Sequence, residues 1–266
     1  MRLLLNDVLP GGASPGELLD EAALEGLYAY PDAAGRPWVR ANMVATLDGA
    51  AAGNDGRTGT INTPADLVVY TLLRDLADVV LVGAGTARAE GYGRPGPRTG
   101  NRAALAVAEG RAAHPELAVV SRTAAVPPLL AAAPEDGAGD ADGGRGGVLM
   151  VTCAAAGEEA LDRARDALGA DRVLVVGGDS VDLPAAVGAL SGRGLPRVLC
   201  EGGPSLLADV AAAGLLDELC LTVVPLLAGG VERRVAVGAV ADRPLVPRVL
   251  IESGGTLLQR WTRPGA

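Results

Sequence analysis

Ala41-Asn42-Met43-Val44-Ala45-Thr46-Leu47-Asp48-Gly49 is an apolar run that closes on polar groups, and its reading decides the fold. Trp38 to Ala45 reads as a buried strand, and Asn54-Asp55-Gly56 marks a turn beyond it. A carboxylate at the mouth of such a strand can hold an imine, an amidine or a pyrimidine ring by charged hydrogen bonds. Asp-Gly is also a common turn pair, so this stretch by itself leaves both readings open.

Outward from that strand, strand and helix patterns alternate. Thr63 to Asp75 is predicted helical, with Thr63 as N-cap, Pro64 at the first helical position and Asp66 in the first turn. Strands are predicted at Val79–Val82, Leu117–Ser121, Val148–Thr152, Arg172–Val176 and Arg197–Cys200, with helices at Glu158–Leu168, Leu183–Leu190 and Pro204–Ala213. Glu218–Val224, Val246–Ile251 and Thr256–Thr262 close the chain as strands without helices between them. The alternation predicts an α/β fold with a mostly parallel sheet flanked by helices, and the last strands an antiparallel hairpin at its edge. Residues 1–37 read as a leader, with a helix over Pro15–Tyr28 and a linker to Pro37; residues 38–266 form the main domain. Residues 134–147, PEDGAGDADGGRGG, read as a flexible surface loop.

Composition narrows the function. The chain has 266 residues, 49% hydrophobic, and a net charge of -9. All 23 basic residues are Arg, which removes a P-loop lysine, a Schiff-base lysine and a lysine base. An acidic chain with 2% aromatic residues and no basic run is a poor nucleic-acid binder. No apolar run approaches the ~20 residues of a membrane span, and a cytoplasmic protein is expected. Cys153, Cys200 and Cys220 fit no metal spacing and His114 is the only histidine, so neither a metal centre nor a histidine triad is expected.

Three other motifs could carry chemistry. Gly83-Ala84-Gly85-Thr86 follows an apolar strand, where glycine lets the backbone approach a ligand. Glu201-Gly202-Gly203-Pro204-Ser205 joins a strand to a helix, and the helix start offers N–H groups to an anion such as a pyrophosphate. Glu201 beside that site would repel a phosphate, so it should face a cationic or N–H-bearing group. Ser121-Arg122 ends another strand and could read the 2′-phosphate of NADP, or be a solvated pair.

With Leu72 to Glu90 and Val198 to Leu207, the opening stretch resembles the reductase domain of riboflavin biosynthesis, the C-terminal half of the bifunctional deaminase-reductase. The resemblance runs from about Trp38 to the C-terminus, with the motifs in matching order. It implies a dihydrofolate-reductase-like fold, NADPH as cofactor, a ribosylamino-pyrimidine phosphate as substrate, hydride transfer to ribose C1′, and a homodimer. It implies Asp48 and Glu201 as catalytic carboxylates, and Asn42, Thr58 and Arg74, with Arg94 or Arg98, as substrate contacts. It implies Val44, Thr60, Gly83, Gly85, Thr86, Glu90, Ser121, Arg122, Gly202, Gly203, Pro204, Ser205 and Leu206 along the cofactor. A zinc-binding deaminase half, which needs His and paired Cys, is not expected in this sequence. A pteridine reductase of the same fold and a non-catalytic nucleotide-binding protein are the competing readings.

Overall fold

A computed structural model of the chain describes residues 1–8, 13–31, 36–131, 146–230, 233–238 and 242–266. The strands are β1 (Arg2–Asn6), β2 (Trp38–Ala45), β3 (Val79–Gly83), β4 (Glu116–Val120), β5 (Val148–Thr152), β6 (Val173–Val175), β7 (Arg197–Cys200), β8 (Glu218–Val223), β9 (Val246–Ser253) and β10 (Thr256–Thr262). The helices are α1 (Glu21–Tyr28), α2 (Pro64–Leu76), α3 (Ala84–Ala89), α4 (Arg102–Ala108), α5 (Pro128–Ala131), α6 (Glu158–Leu168), α7 (Leu183–Gly192) and α8 (Pro204–Ala212). The class is the mixed, mostly parallel α/β arrangement expected. The chain forms two compact units: Met1–Ala33, Trp38–Leu76 and Cys200–Ala266 in one, Ala34–Pro37 and Ala77–Leu199 in the other.

In the first unit the strand order is β1-β9-β10-β8-β2. β2 runs parallel to β8, with Arg40 opposite Glu218, Asn42 opposite Cys220 and Val44 opposite Thr222. The β9–β10 hairpin turns on Gly254 and Gly255, at φ 59 and 83, the left-handed pair that a two-residue hairpin turn requires. The hairpin is not the edge. β1 pairs antiparallel with β9, Arg2 opposite Glu252, so the leader belongs to this unit instead of preceding it as a separate helical segment. The helix expected from Pro15 starts only at Glu21, because the Asp20 carboxylate accepts the Ala23 N–H at 2.8 Å and sets the N-cap there.

A buried charge cluster fastens α1 to the sheet. Arg40 Nε lies 2.6 Å from Glu218 Oε1, and Arg260 donates to both Glu218 oxygens at 2.7 and 3.1 Å. Trp38 Nε1 adds a bond at 3.1 Å. The same arginines reach the end of α1: Arg260 Nη1 donates to Leu27 O at 2.8 Å and Arg40 Nη2 to Ala29 O at 3.4 Å. Cations at a helix C-terminus complement its dipole. Burial alone would raise the Glu218 carboxyl, but Arg40 and Arg260 hold it down at about 2.

The second unit is a sheet of order β7-β3-β4-β5-β6, with β3, β4, β5 and β6 parallel to one another. Asp78 organises its lower edge, accepting from Arg111 Nε at 2.6 Å and from the Arg197 N–H at 2.9 Å. Residues 134–145 of the expected loop, and 32–35 of the expected linker, lie outside the described residues. Gly146 and Gly147 are packed in: Gly146 N–H donates to Pro95 O at 2.8 Å, and Gly147 O accepts from Leu117 at 2.9 Å. A Cβ on Gly146 would strike the Pro115 carbonyl. Among the described residues no helix is long and apolar enough to cross a membrane.

Candidate active site

Two expected site residues meet in the first unit. β7 ends at Cys200, leaving Glu201 at its carboxyl end with a side chain only 3% exposed. Arg74, in the last turn of α2, donates to it from Nε and Nη2, both at 2.7 Å. The guanidinium also lies over the Tyr70 ring, 4.4 Å from its centroid. A two-pronged pair like this fixes the plane of the carboxylate as well as its charge. Arg74, expected as a substrate contact, thus has two of its donors engaged by Glu201.

The chain then turns through Gly202, at φ +76, where a Cβ would press on Met43 Sδ at 3.2 Å. Gly203 is the N-cap of α8 and supplies no capping side chain; Pro204 opens the helix. The first-turn N–H groups, including those of Ser205 and Leu206, have no acceptor within the helix. Glu201 and this helix start are consecutive in the chain, so one segment carries both a fixed carboxylate and a place for an anion.

Asp48 is differently placed. Thr46-Leu47-Asp48-Gly49 is a turn, with Gly49 N–H donating to Thr46 O at 3.0 Å and Gly49 at φ +87. Asp48 accepts the Thr46 hydroxyl at 2.5 Å, Ala228 N–H at 3.2 Å and Gly229 N–H at 2.6 Å. These bonds, the Thr46 hydroxyl first, lower its carboxyl to about 2. A group so acidic stays ionised near neutral pH and is unsuited to donate a proton. Both readings of Asp48-Gly49 thus have substance: it makes the turn, and its carboxylate ties that turn to the 228–229 segment.

Of the other residues in this unit, Asn42 and Val44 share a face of β2 with Arg40. Asn42 is half-buried, and Val44 packs with Ile61 and Val224. Thr58 donates to Ala51 O at 3.1 Å. Thr60, expected along the cofactor, instead braces its own loop, its hydroxyl 2.9 Å from both Asp55 Oδ1 and Arg57 O.

In the second unit Gly83 is the N-cap of α3. Gly85 is exposed, and no atom lies within 4 Å of where a Cβ on it would stand, so the backbone is open to a ligand. Thr86 is half-buried; its carbonyl accepts the Glu90 N–H at 2.9 Å. Ser121 is buried, its Oγ 3.3 Å from Thr123 Oγ1, while Arg122 projects from the surface without a side-chain partner among the described residues. Arg94 is half-buried, and its Nε has no hydrogen-bond partner among the described residues. Arg98, expected with Arg94 among the substrate contacts, is placed differently. It is 4% exposed and donates to Ala77 O at 2.6 Å and Ala112 O at 3.1 Å, so it braces backbone. Among the described residues no three His, Cys, Asp or Glu side chains gather to hold a metal, and the three cysteines are free and buried.

The Arg40–Glu218–Arg260 cluster escaped the sequence reading, although charges inside apolar strands signalled it.

The first unit thus sets a fixed carboxylate and a glycine-led helix start side by side at the end of β7. Residues 37–253 match the RibD C-terminal domain, and the chain belongs to that family, the reductases of riboflavin biosynthesis. It is 28% identical over 199 residues to an Archaeoglobus fulgidus protein described as 2,5-diamino-6-ribosylamino-4(3H)-pyrimidinone 5′-phosphate reductase, covering 73% of this chain and 83% of that one. A Methanothermobacter thermautotrophicus protein of the same description is 29% identical, over 76% of this chain and 84% of its own. Among solved structures, a pyrimidine reductase-like protein from Corynebacterium diphtheriae superimposes with a TM-score of 0.76 at 25% identity, over 91% of this chain and 99% of that one. The deaminase/reductase of Thermotoga maritima shares the fold, with a TM-score of 0.59 at 18% identity over 86% of this chain and 57% of its own.

Proposed function

We propose that the protein is an NADPH-dependent reductase of a ribosylamino-pyrimidine 5′-phosphate, of the 5-amino-6-(5-phosphoribosylamino)uracil type. The observation that carries this is the buried Glu201 carboxylate, held in plane by Arg74 and followed directly by the uncapped start of α8. The curated archaeal relatives, described as reductases of a diamino-ribosylamino-pyrimidinone phosphate, support the substrate class.

The residues present suit a nicotinamide dinucleotide. In the first unit Gly202 and Gly203 keep the α8 start free of side chains, which suits a pyrophosphate; in the second unit, taken by itself, Gly85 leaves backbone open and Arg122, without a side-chain partner among the described residues, suits a 2′-phosphate. NADPH, when bound, supplies a hydride. That hydride would reduce the C1′=N bond of the ring-opened substrate to a C–N single bond, with a proton from solvent completing the amine. Glu201 accepts hydrogen bonds from the pyrimidine edge and stabilises positive charge on the imine nitrogen. Arg74 keeps that carboxylate from rotating away, so its orientation is set before substrate arrives.

The test is oxidation of NADPH with the ribosylamino-pyrimidine phosphate and, in parallel, with dihydrofolate. Turnover on the pyrimidine alone is expected, and Glu201→Gln should lower it at least ~10-fold, about 1.4 kcal/mol of transition-state stabilisation. NADPH affinity should stay within a few-fold. Reduction of dihydrofolate in place of the pyrimidine, or cofactor binding with no turnover on either, would overturn the proposal.

A further inference from the structure

Glu201 can orient a substrate only if its own plane is fixed, and the group that fixes it is long and flexible. Arg74 donates to that carboxylate twice, at 2.7 Å each, yet its side chain is 25% exposed while that of Glu201 is 3% exposed. An arginine with access to water has many rotamers open to it, and the buried acid cannot follow. The face of the Tyr70 ring holds it back, 4.4 Å from the guanidinium carbon. We propose that Tyr70 is a positioning residue for the reduction: its ring pins the Arg74 guanidinium and, through it, sets the orientation of the Glu201 carboxylate. The inference rests on the role proposed above for Glu201.

All three residues belong to the first unit. Tyr70 and Arg74 both lie on α2, one helical turn apart, so their side chains share a face. The helix is fastened at its start: Thr63 Oγ1 accepts the Asp66 N–H at 3.3 Å and the Thr256 hydroxyl at 3.1 Å, which ties α2 to β10. The packed side of α2 is filled by Val69, Leu72 and Leu73, whereas Tyr70 is half-buried. Its ring is therefore not core filling alone. Composition sharpens the point. The chain has no Phe, four Tyr and two Trp, so an aromatic ring at this place is not the by-product of an aromatic-rich core.

The negative face of an aromatic ring attracts a guanidinium. It also keeps water from one side of the cation, which strengthens the bonds that the cation makes elsewhere. The same three-part arrangement recurs at Arg40, which lies 4.0 Å from the centre of the Tyr30 ring and 2.6 Å from Glu218. There the acid sits within a strand and serves the sheet. Glu201 stands instead at the carboxyl end of β7, directly before the start of α8.

The test combines steady-state kinetics on the ribosylamino-pyrimidine phosphate with NMR of isotope-labelled arginine Nε–H groups. Tyr70→Leu removes the ring face and should lower kcat roughly 3- to 30-fold, the range for a cation–π contact as its burial grows. Tyr70→Phe keeps the face and should restore kcat to within about twofold of wild type. Arg74→Gln keeps a donor but loses the cation and the fork; adding Tyr70→Leu to it should lower kcat by less than about twofold, because the ring then has nothing to pin. The Arg74 Nε–H signal, assigned by its loss in Arg74→Gln, should exchange with water faster in Tyr70→Leu and at the wild-type rate in Tyr70→Phe. Tyr70→Gln, a good helix former without a ring, carries the same expectations and serves where the leucine variant does not fold. Full kcat or unchanged exchange without the ring overturns the positioning role. So does a loss in Tyr70→Phe as large as in Tyr70→Leu, or an equal effect of Tyr70→Leu with and without Arg74. Absence of pyrimidine turnover by the wild type, with the exchange difference intact, would instead refute the proposed reaction and leave the coupling from ring to carboxylate standing.

Discussion

Glu218→Gln should destabilise the protein by about 3–5 kcal/mol, the cost of stranding buried charge after one partner is removed. The change keeps the volume and removes the counter-charge between Arg40 and Arg260. Glu218 is fully buried, and its four nearest side-chain donors are the two guanidinium groups, Trp38 Nε1 and Cys220 Sγ. A second route to the magnitude is its acidity. A carboxyl held at about 2 instead of its ordinary 4.5 corresponds to about 3 kcal/mol of stabilisation of the charged form. The sign follows from the depressed pKa: this stability is fully present above 4.5 and is lost as pH falls from there towards 2. Urea unfolding, measured at several pH values, is the assay. Near neutral pH the variant should unfold at lower urea with the slope unchanged. Below pH 4.5 the wild type should lose stability faster than the variant, so the difference between them narrows. A loss below about 1 kcal/mol, or a gap that does not narrow with acid, would refute the reasoning that two unpaired guanidinium groups are costly there.

Two further outcomes follow from other parts of the molecule. Arg122→Ala should weaken NADPH about tenfold or more while NADH is barely affected, as expected for a charged hydrogen bond to the 2′-phosphate; equal losses for both cofactors, read by fluorescence titration, would remove Arg122 from that role. Gly202→Ala should cost about 1 kcal/mol or more, because φ +76 is strained for alanine and the new Cβ meets Met43 Sδ; a variant that melts at or above the wild-type temperature would contradict this.

Much of the sheet was legible because its strands are apolar runs closed by turn residues. β2, β5, β7 and β10 coincide with the stretches read from the sequence. β1 was not legible. Leu3-Leu4-Leu5 is too short to signal a strand, and its partner in β9 lies almost a whole chain length away. α3 and α4 were also missed, since small residues such as Ala84, Gly85 and Ala103 carry no apolar period. For the site, Arg74 and Glu201 were each singled out, but nothing in the order of residues told that they face each other across 127 positions. Asp48 was found as an acid at a strand mouth. Its grip on residues 228–229, some 180 positions later, exists only once β2 and β8 lie side by side. Arg98 misled because an arginine near a glycine-rich stretch looks solvent-facing, whereas backbone carbonyls of its own unit enclose it.

The buried Arg40–Glu218–Arg260 cluster also acts as an alignment key for the strands that contain it. Side chains alternate between the two faces of a strand, so a slip of β8 by one residue against β2 or β10 would turn Glu218 to the opposite face. Both guanidinium groups would then sit in an apolar layer without their shared carboxylate. Apolar neighbours such as Leu219 and Leu221 could tolerate such a slip far more easily, since one leucine can stand in for another. A single acid shared by two strands on either side of it penalises misalignment with both at once. The cluster thus selects one pairing of three strands, in addition to whatever it adds to the stability of the correct one.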